Sequence, residues 1–170
     1  MLFNSYEFIC LFLPIVFFVY YFLLNRRLII GAKGFLVFAS LFFYSWWNLI
    51  YLPIILTSML FNYIIASSLN KNIKVSKKSL LIFGIVSNLL LLGYFKYADF
   101  FIININYILP LDVSTLNLAL PLAISFFTFQ QIAYLVDSYK GETKEYDLLN
   151  YSLFVTFFPQ LIAGPIVHHG

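Results

Sequence analysis

Apolar stretches, each about as long as a bilayer is thick, alternate with short polar breaks along the whole chain. The first runs over 6–24, entered at Glu7 and left at Asn25-Arg26-Arg27. A basic cluster stands at each end of 34–70, so that region must return to the side it left. Two short crossings, 34–47 and 50–68, do so. The break between them holds Trp46, Trp47, Asn48 and Pro53: two indoles suited to an interface, and a proline accepted in a first helical turn. A further span covers 79–95 and ends at Lys96-Tyr97-Ala98-Asp99, where Lys96 and Asp99 either pair on one face or anchor separately at the interface. The run 100–109 contains Asn104 and Asn106 and stops at Pro110. It is short for a span and reads as a tilted, re-entrant or interfacial piece.

The run LPLAISFFTFQQIAYLVD at 120–137 departs from this pattern. It has the length of a span, with Pro121 where a first turn takes a proline and Gly141 where a helix stops. At about 100° per residue, Gln130, Tyr134 and Asp137 fall within roughly 60° of one another, flanked by Gln131 and Ser138. Unpaired amides and carboxylates are costly in hydrocarbon, so this arc is expected to face other helices or a watery cavity. After a mixed-charge loop, a last apolar segment covers 148–163, with Pro159 inside it and Gly164-Pro165 behind. A proline there removes a backbone hydrogen bond, and at membrane depth the freed carbonyl needs protein or water. Pro159, Gly164 and Pro165 are thus read as breaks in a helix lining an interior, with Gln160 beside them.

Composition supports the same picture. Apolar residues are 62% of the chain and charged ones 10%, against about 25% charged in soluble domains. Such a balance cannot clothe a soluble surface. The expected fold is all-α: a polytopic integral membrane helical bundle of about five to seven segments, forming one unit over 1–170 with no soluble domain. Residues 8–98 hold no acid, while Arg26, Arg27 and Lys33, then Lys71, Lys74, Lys77 and Lys78, form two basic clusters. Clusters this short between spans mark cytoplasmic loops and put the N-terminus outside; a nucleic-acid patch is the weaker reading, and no nucleic-acid partner is expected. Cys10 is alone, which leaves no intramolecular disulfide. The N-terminus lacks a basic leader and a cleavage site, so the first segment is expected to be a retained span.

Motifs for metal, phosphate or serine-hydrolase chemistry are absent: there is no HExxH, Gly-rich phosphate loop, GxSxG or CxxC. Among the seven acids only Asp137 is a good intramembrane candidate. It is either a helix-end residue pairing with Lys140 or a carboxylate orienting another group within a site. Gln130, Gln131 and Gln160 either cross-link helices or hold a polar substrate. His168 and His169 have the chemistry of a general base but no visible orienting partner.

The run at 120–137, followed by FFPQLIAGPIV at 157–167, closely resembles the membrane-bound O-acyltransferase (MBOAT) family. The nearer branch is that of the bacterial alginate and peptidoglycan O-acetyltransferases. FFYSWWN at 42–48 and LLGYFKYA at 91–98 support it in order and spacing. One departure is Ala123, where the family usually has Gly, and it is expected to cost little. The resemblance implies a ring of tilted helices in the bacterial inner membrane around a funnel, with Gln130, Gln131, Tyr134, Asp137 and Gln160 on its walls. It implies transfer of an acyl group, acetyl from acetyl-CoA on the cytoplasmic side, toward a hydroxyl of an extracytoplasmic polysaccharide, completed with a periplasmic acetyltransferase partner. No cofactor or metal is implied beyond this donor. The family's histidine lies downstream of the glycine–proline block, and no position here matches it. The chain is therefore expected to be the N-terminal part of an acyltransferase, inactive alone. A transporter or channel subunit, or a non-catalytic scaffold for a periplasmic enzyme, are the competing classes.

Overall fold

The computed structural model describes residues 5–70, 76–109, 113–143 and 147–159, the side chain of Trp47 excepted. Ser5 opens the first helix by accepting the amide hydrogen of Phe8 on its Oγ at 3.2 Å. A π-helical turn, Phe8–Phe12, leads into α1, Leu13–Asn25. The wider turn stands just before Pro14, whose ring crowds the carbonyl four residues back. Arg27, with a positive φ of 58°, ends α1 in a Schellman arrangement, Leu28 N donating to Leu23 O.

α2, Ile29–Trp47, starts earlier than the 34–47 crossing expected from sequence and takes in Lys33. That lysine is half-buried because its Nζ donates to Asn150 Oδ1 at 2.6 Å, so the charge does not mark a loop. Asn48 breaks the chain and accepts the amide hydrogen of Ile50. Pro53 then stands in the first turn of α3, Leu52–Leu69.

α4, Lys77–Ile108, is one helix of 32 residues where the sequence pattern predicts two pieces, 79–95 and 100–109. Lys96 and Asp99 signal a membrane boundary, but both residues are helix-compatible and neither Gly nor Pro follows before Leu109. A helix does not stop where the bilayer does. At about 1.5 Å per residue α4 is about 48 Å long, against about 30 Å of hydrocarbon. Nor do Lys96 and Asp99 pair: Asp99 Oδ1 accepts the amide hydrogen of Leu116 at 2.7 Å, and Lys96 Nζ lies 5.5 Å from the Tyr97 ring centroid. Asn106 grips Val113 in both directions, and Tyr51 Oη donates to Ala119 O at 2.6 Å. These bonds strap the segment 113–119 across that end of the bundle.

α5, Ile124–Lys140, begins three residues after Pro121, which therefore lies outside its first turn. Its N-cap is Ala123 in the left-handed region, with φ of 56°. Gly141, at φ 75°, ends the helix. α6, Leu148–Thr156, follows. Large apolar side chains such as Phe18, Ile30, Phe38 and Leu90 point outward, as lipid-facing residues do. Four of the helical stretches among the described residues are long and apolar enough to cross a membrane: Phe8–Asn25, Ile29–Trp46, Leu49–Leu69 and Lys77–Ile108. The molecule is an all-α polytopic membrane bundle.

Candidate functional site

The interior is built where α3, α4 and α5 meet. α5 runs antiparallel to α4, with Leu135 against Gly84, whose missing Cβ would come within 2.7 Å of Leu135 Cδ1. This close approach brings three amides together. Asn62 Nδ2 and Asn88 Oδ1 lie 3.1 Å apart, and Asn88 Nδ2 donates to Asn62 Oδ1 at 2.6 Å. Gln131 Oε1 accepts from Ser58 Oγ at 2.7 Å and from Asn62 Nδ2 at 2.6 Å. Ser58, Asn62, Asn88 and Gln131 are all buried. They form one hydrogen-bonded lock across three helices at about mid-membrane depth, in which Gln131 acts as a cross-link.

Gln130, Tyr134, Asp137 and Ser138 are buried as well, so the whole polar stripe of α5 turns away from lipid. Tyr134 stacks on Tyr151 of α6, ring centroids 4.4 Å apart, and Tyr151 also meets Tyr63 of α3 at 5.7 Å. Asp137 does not pair with Lys140: the lysine lies 3.9 Å from Glu142 on the exposed helix end. Asp137 is instead buried, 8% exposed, on the stripe one turn short of the helix end. Thr143 donates its hydroxyl to Ser138 beside it.

Several buried polar atoms have no hydrogen-bond partner among the described residues: Thr128 Oγ1, Gln130 Oε1, Gln131 Nε2, Tyr44 Oη and Tyr151 Oη. Each such atom costs about 1–3 kcal/mol unless something polar reaches it. Thr128, Gln130 and Gln131 of α5 thus carry polar atoms that are buried without a partner among the described residues. Among the described residues no three His, Cys, Asp or Glu gather as a metal site would need.

α6 completes this interior from the other side. It enters beside α2, with Asn150 on Lys33, and stops at Thr156. Phe157 leaves helical geometry (φ −51°, ψ 107°), two residues ahead of Pro159. The amide hydrogen of Phe158 goes to Ser40 Oγ, 3.3 Å away on α2. A side chain thereby satisfies a main-chain group at membrane depth. Phe158 packs edge-on to Phe8 and Phe12, fixing the break against the first helix. Gln160, Gly164, Pro165, His168 and His169 lie outside the described residues.

Sequence reasoning missed Ser58, Asn62, Asn88, Ser40 and Asn150. The signal was present in part: Ser58 with Asn62, and Gly84 with Asn88, are small or polar residues four apart within apolar helices, the spacing of helix–helix contacts.

Over 99% of its length the chain is 45% identical to a peptidoglycan O-acetyltransferase of Helicobacter pylori, of which it covers 37%. It is 36% identical to the probable alginate O-acetylase AlgI of Pseudomonas aeruginosa, over 98% of the chain and 33% of that protein. The like-named protein of Azotobacter vinelandii is 35% identical over 98% of the chain and 34% of its own length. The chain thus spans about a third of the length of the relatives it matches. No protein-family profile and no solved structure matches it. Over nearly its whole length the chain is thus similar to about a third of these O-acetyltransferases, and it folds as an all-helical membrane bundle.

Proposed function

We propose that the protein is a membrane-embedded O-acetyltransferase acting on an extracytoplasmic polysaccharide, with acetyl-CoA as the donor on the cytoplasmic side of the inner membrane. In the reaction the thioester C–S bond breaks, an ester forms on a sugar hydroxyl, and the hydroxyl proton ends on the coenzyme thiol. Residues 1–170 supply part of the path rather than the base: Gln130, Tyr134 and Asp137 on α5 face the transferring group, while Gln131 holds α5 to α3. The general base is a histidine beyond the glycine–proline block, and a periplasmic partner completes delivery to the sugar. Peptidoglycan is the first acceptor to test, since the relative named for it shares 45% identity against 36% for the alginate enzyme. The observation that carries this reading is the buried stripe on α5, with its unpartnered amide and hydroxyl atoms, in a chain whose relatives are O-acetylases.

The test gives membranes containing the protein acetyl-CoA labelled in the acetyl group, with peptidoglycan or alginate as acceptor. Base-labile label on the polysaccharide is the expected result. Label that stays on the donor, or substrate that crosses the membrane unmodified, would overturn the assignment. Residues 1–170 alone are expected to transfer none.

A further inference from the structure

Away from the α5 stripe, the π-helical turn, α1 and α2 enclose a groove of about 530 Å³ on the outside of the bundle. Its walls are Leu11, Ile15 and Val16 on one side and Phe35, Phe38 and Phe42 on the other. Leu11, Ile15 and Phe38 are among the exposed apolar residues, so the groove opens toward lipid. Glu7 and Trp46 stand at one end. From Phe35 to Trp46 the groove follows about 16 Å of helix, half the roughly 30 Å hydrocarbon core. It therefore has the depth of a single leaflet. The lining stops at Val16 and Phe35.

Charge selects the headgroup. Among the described residues Glu7 is the one charged residue on the lining, and the sequence has no basic residue in 8–25 or 34–70. An anionic headgroup at that end would meet a carboxylate and no cation among the described lining residues. A headgroup bearing a primary ammonium would place that cation beside Glu7, with the Trp46 indole at the interfacial level where such rings settle. We propose that this groove holds one acyl chain of an ethanolamine phospholipid, its ammonium facing Glu7. The site is separate from the α5 stripe and does not depend on the acetyl-transfer assignment.

The protein is reconstituted in vesicles with equal amounts of phosphatidylethanolamine and phosphatidylglycerol, extracted gently, and its retained lipids are counted by native mass spectrometry. An exposed ion pair supports about a three- to fivefold preference for phosphatidylethanolamine. Glu7→Gln should abolish the preference and Glu7→Lys should reverse it, a change that misfolding cannot produce. Ile15→Trp, which fills the groove from its lipid-facing wall, should lower retention of both lipids. Equal retention by the unsubstituted protein overturns the proposal, as does a preference that survives Glu7→Lys or retention indifferent to Ile15→Trp. A photocrosslinker at Phe38 should capture lipid; capture of protein shows that another helix covers the groove and also overturns it.

Discussion

Asn62 and Asn88 share a reciprocal amide contact (3.1 and 2.6 Å) while Asn62 also reaches Gln131 and the carbonyl of Ser58. An amide nitrogen has only two hydrogens, so these acceptors share them, and Gln131 Oε1 leans on Ser58 for its second bond. Removing Asn88 takes away the donor to the buried Asn62 Oδ1. Asn88→Ala is therefore expected to cost about 1–2 kcal/mol, at the upper end of the range for polar contacts between membrane helices. Reversible unfolding in detergent measures it, and Asn62→Leu with Asn88→Leu should cost less than the sum of the single changes. Ala123 presents the opposite case. Its left-handed backbone (φ 56°) costs an L-residue about 1–2 kcal/mol, which corrects the expectation that Ala is nearly as good as Gly there. Ala123→Gly should stabilise the protein by about 0.5–1 kcal/mol once the greater freedom of Gly in the unfolded chain is deducted. An unchanged or lowered unfolding midpoint would contradict this.

α4 and α5 depend on a glycine for their approach. A Cβ on Gly84 would sit 2.7 Å from Leu135 Cδ1 and 3.4 Å from Ile65, and Leu135 is fully buried with little room to swing. Gly84→Ala is expected to cost about 1–3 kcal/mol by overpacking and to loosen the amide lock one turn away. Since the obstructing atom belongs to a side chain, the same substitution should cost less in a Leu135→Ala background. Equal costs in both backgrounds would mean that α4 is displaced as a whole. α6 shows how a helix is interrupted inside a membrane: it ends at Thr156, Phe157 leaves helical geometry, Ser40 receives the amide hydrogen of Phe158, and Phe158 and Pro159 are helical again, the proline where a first turn accepts one.

For the whole molecule, the antiparallel order puts Arg26, Lys78 and Lys140 at one end of the bundle and Asn48, Lys96 and Ala119 at the other. Lys77 and Lys96 lie about 29 Å apart along α4, close to the hydrocarbon thickness, so the remainder of the helix rises past the far interface or tilts within it. With the basic end cytoplasmic, a membrane-impermeant maleimide applied to intact cells should label Lys96→Cys and spare Lys78→Cys and Lys140→Cys. The reverse pattern inverts the orientation, and labelling of Lys78→Cys and Lys96→Cys from the same side would contradict a membrane-spanning α4.

Apolar run length, the paucity of charge and the proline and glycine positions were enough to foretell an all-helical membrane bundle, because in hydrocarbon the backbone has few ways to satisfy itself. The inward turn of Gln130, Tyr134 and Asp137 was legible too, since three polar groups on one arc cannot all face lipid. What stayed hidden were matters of partnership. Lys33, Lys96 and Asp99 looked like membrane boundaries from their charge alone, yet Lys33 donates to Asn150, Asp99 accepts from Leu116 N, and α4 passes through both Lys96 and Asp99. Asn62 and Asn88 lie 26 residues apart and look like isolated blemishes in apolar helices until Gly84 lets the helices close. Single polar residues carry no address in a sequence; only the tertiary structure decided which of them meet, because an amide in hydrocarbon is defined by the partner the packing brings to it.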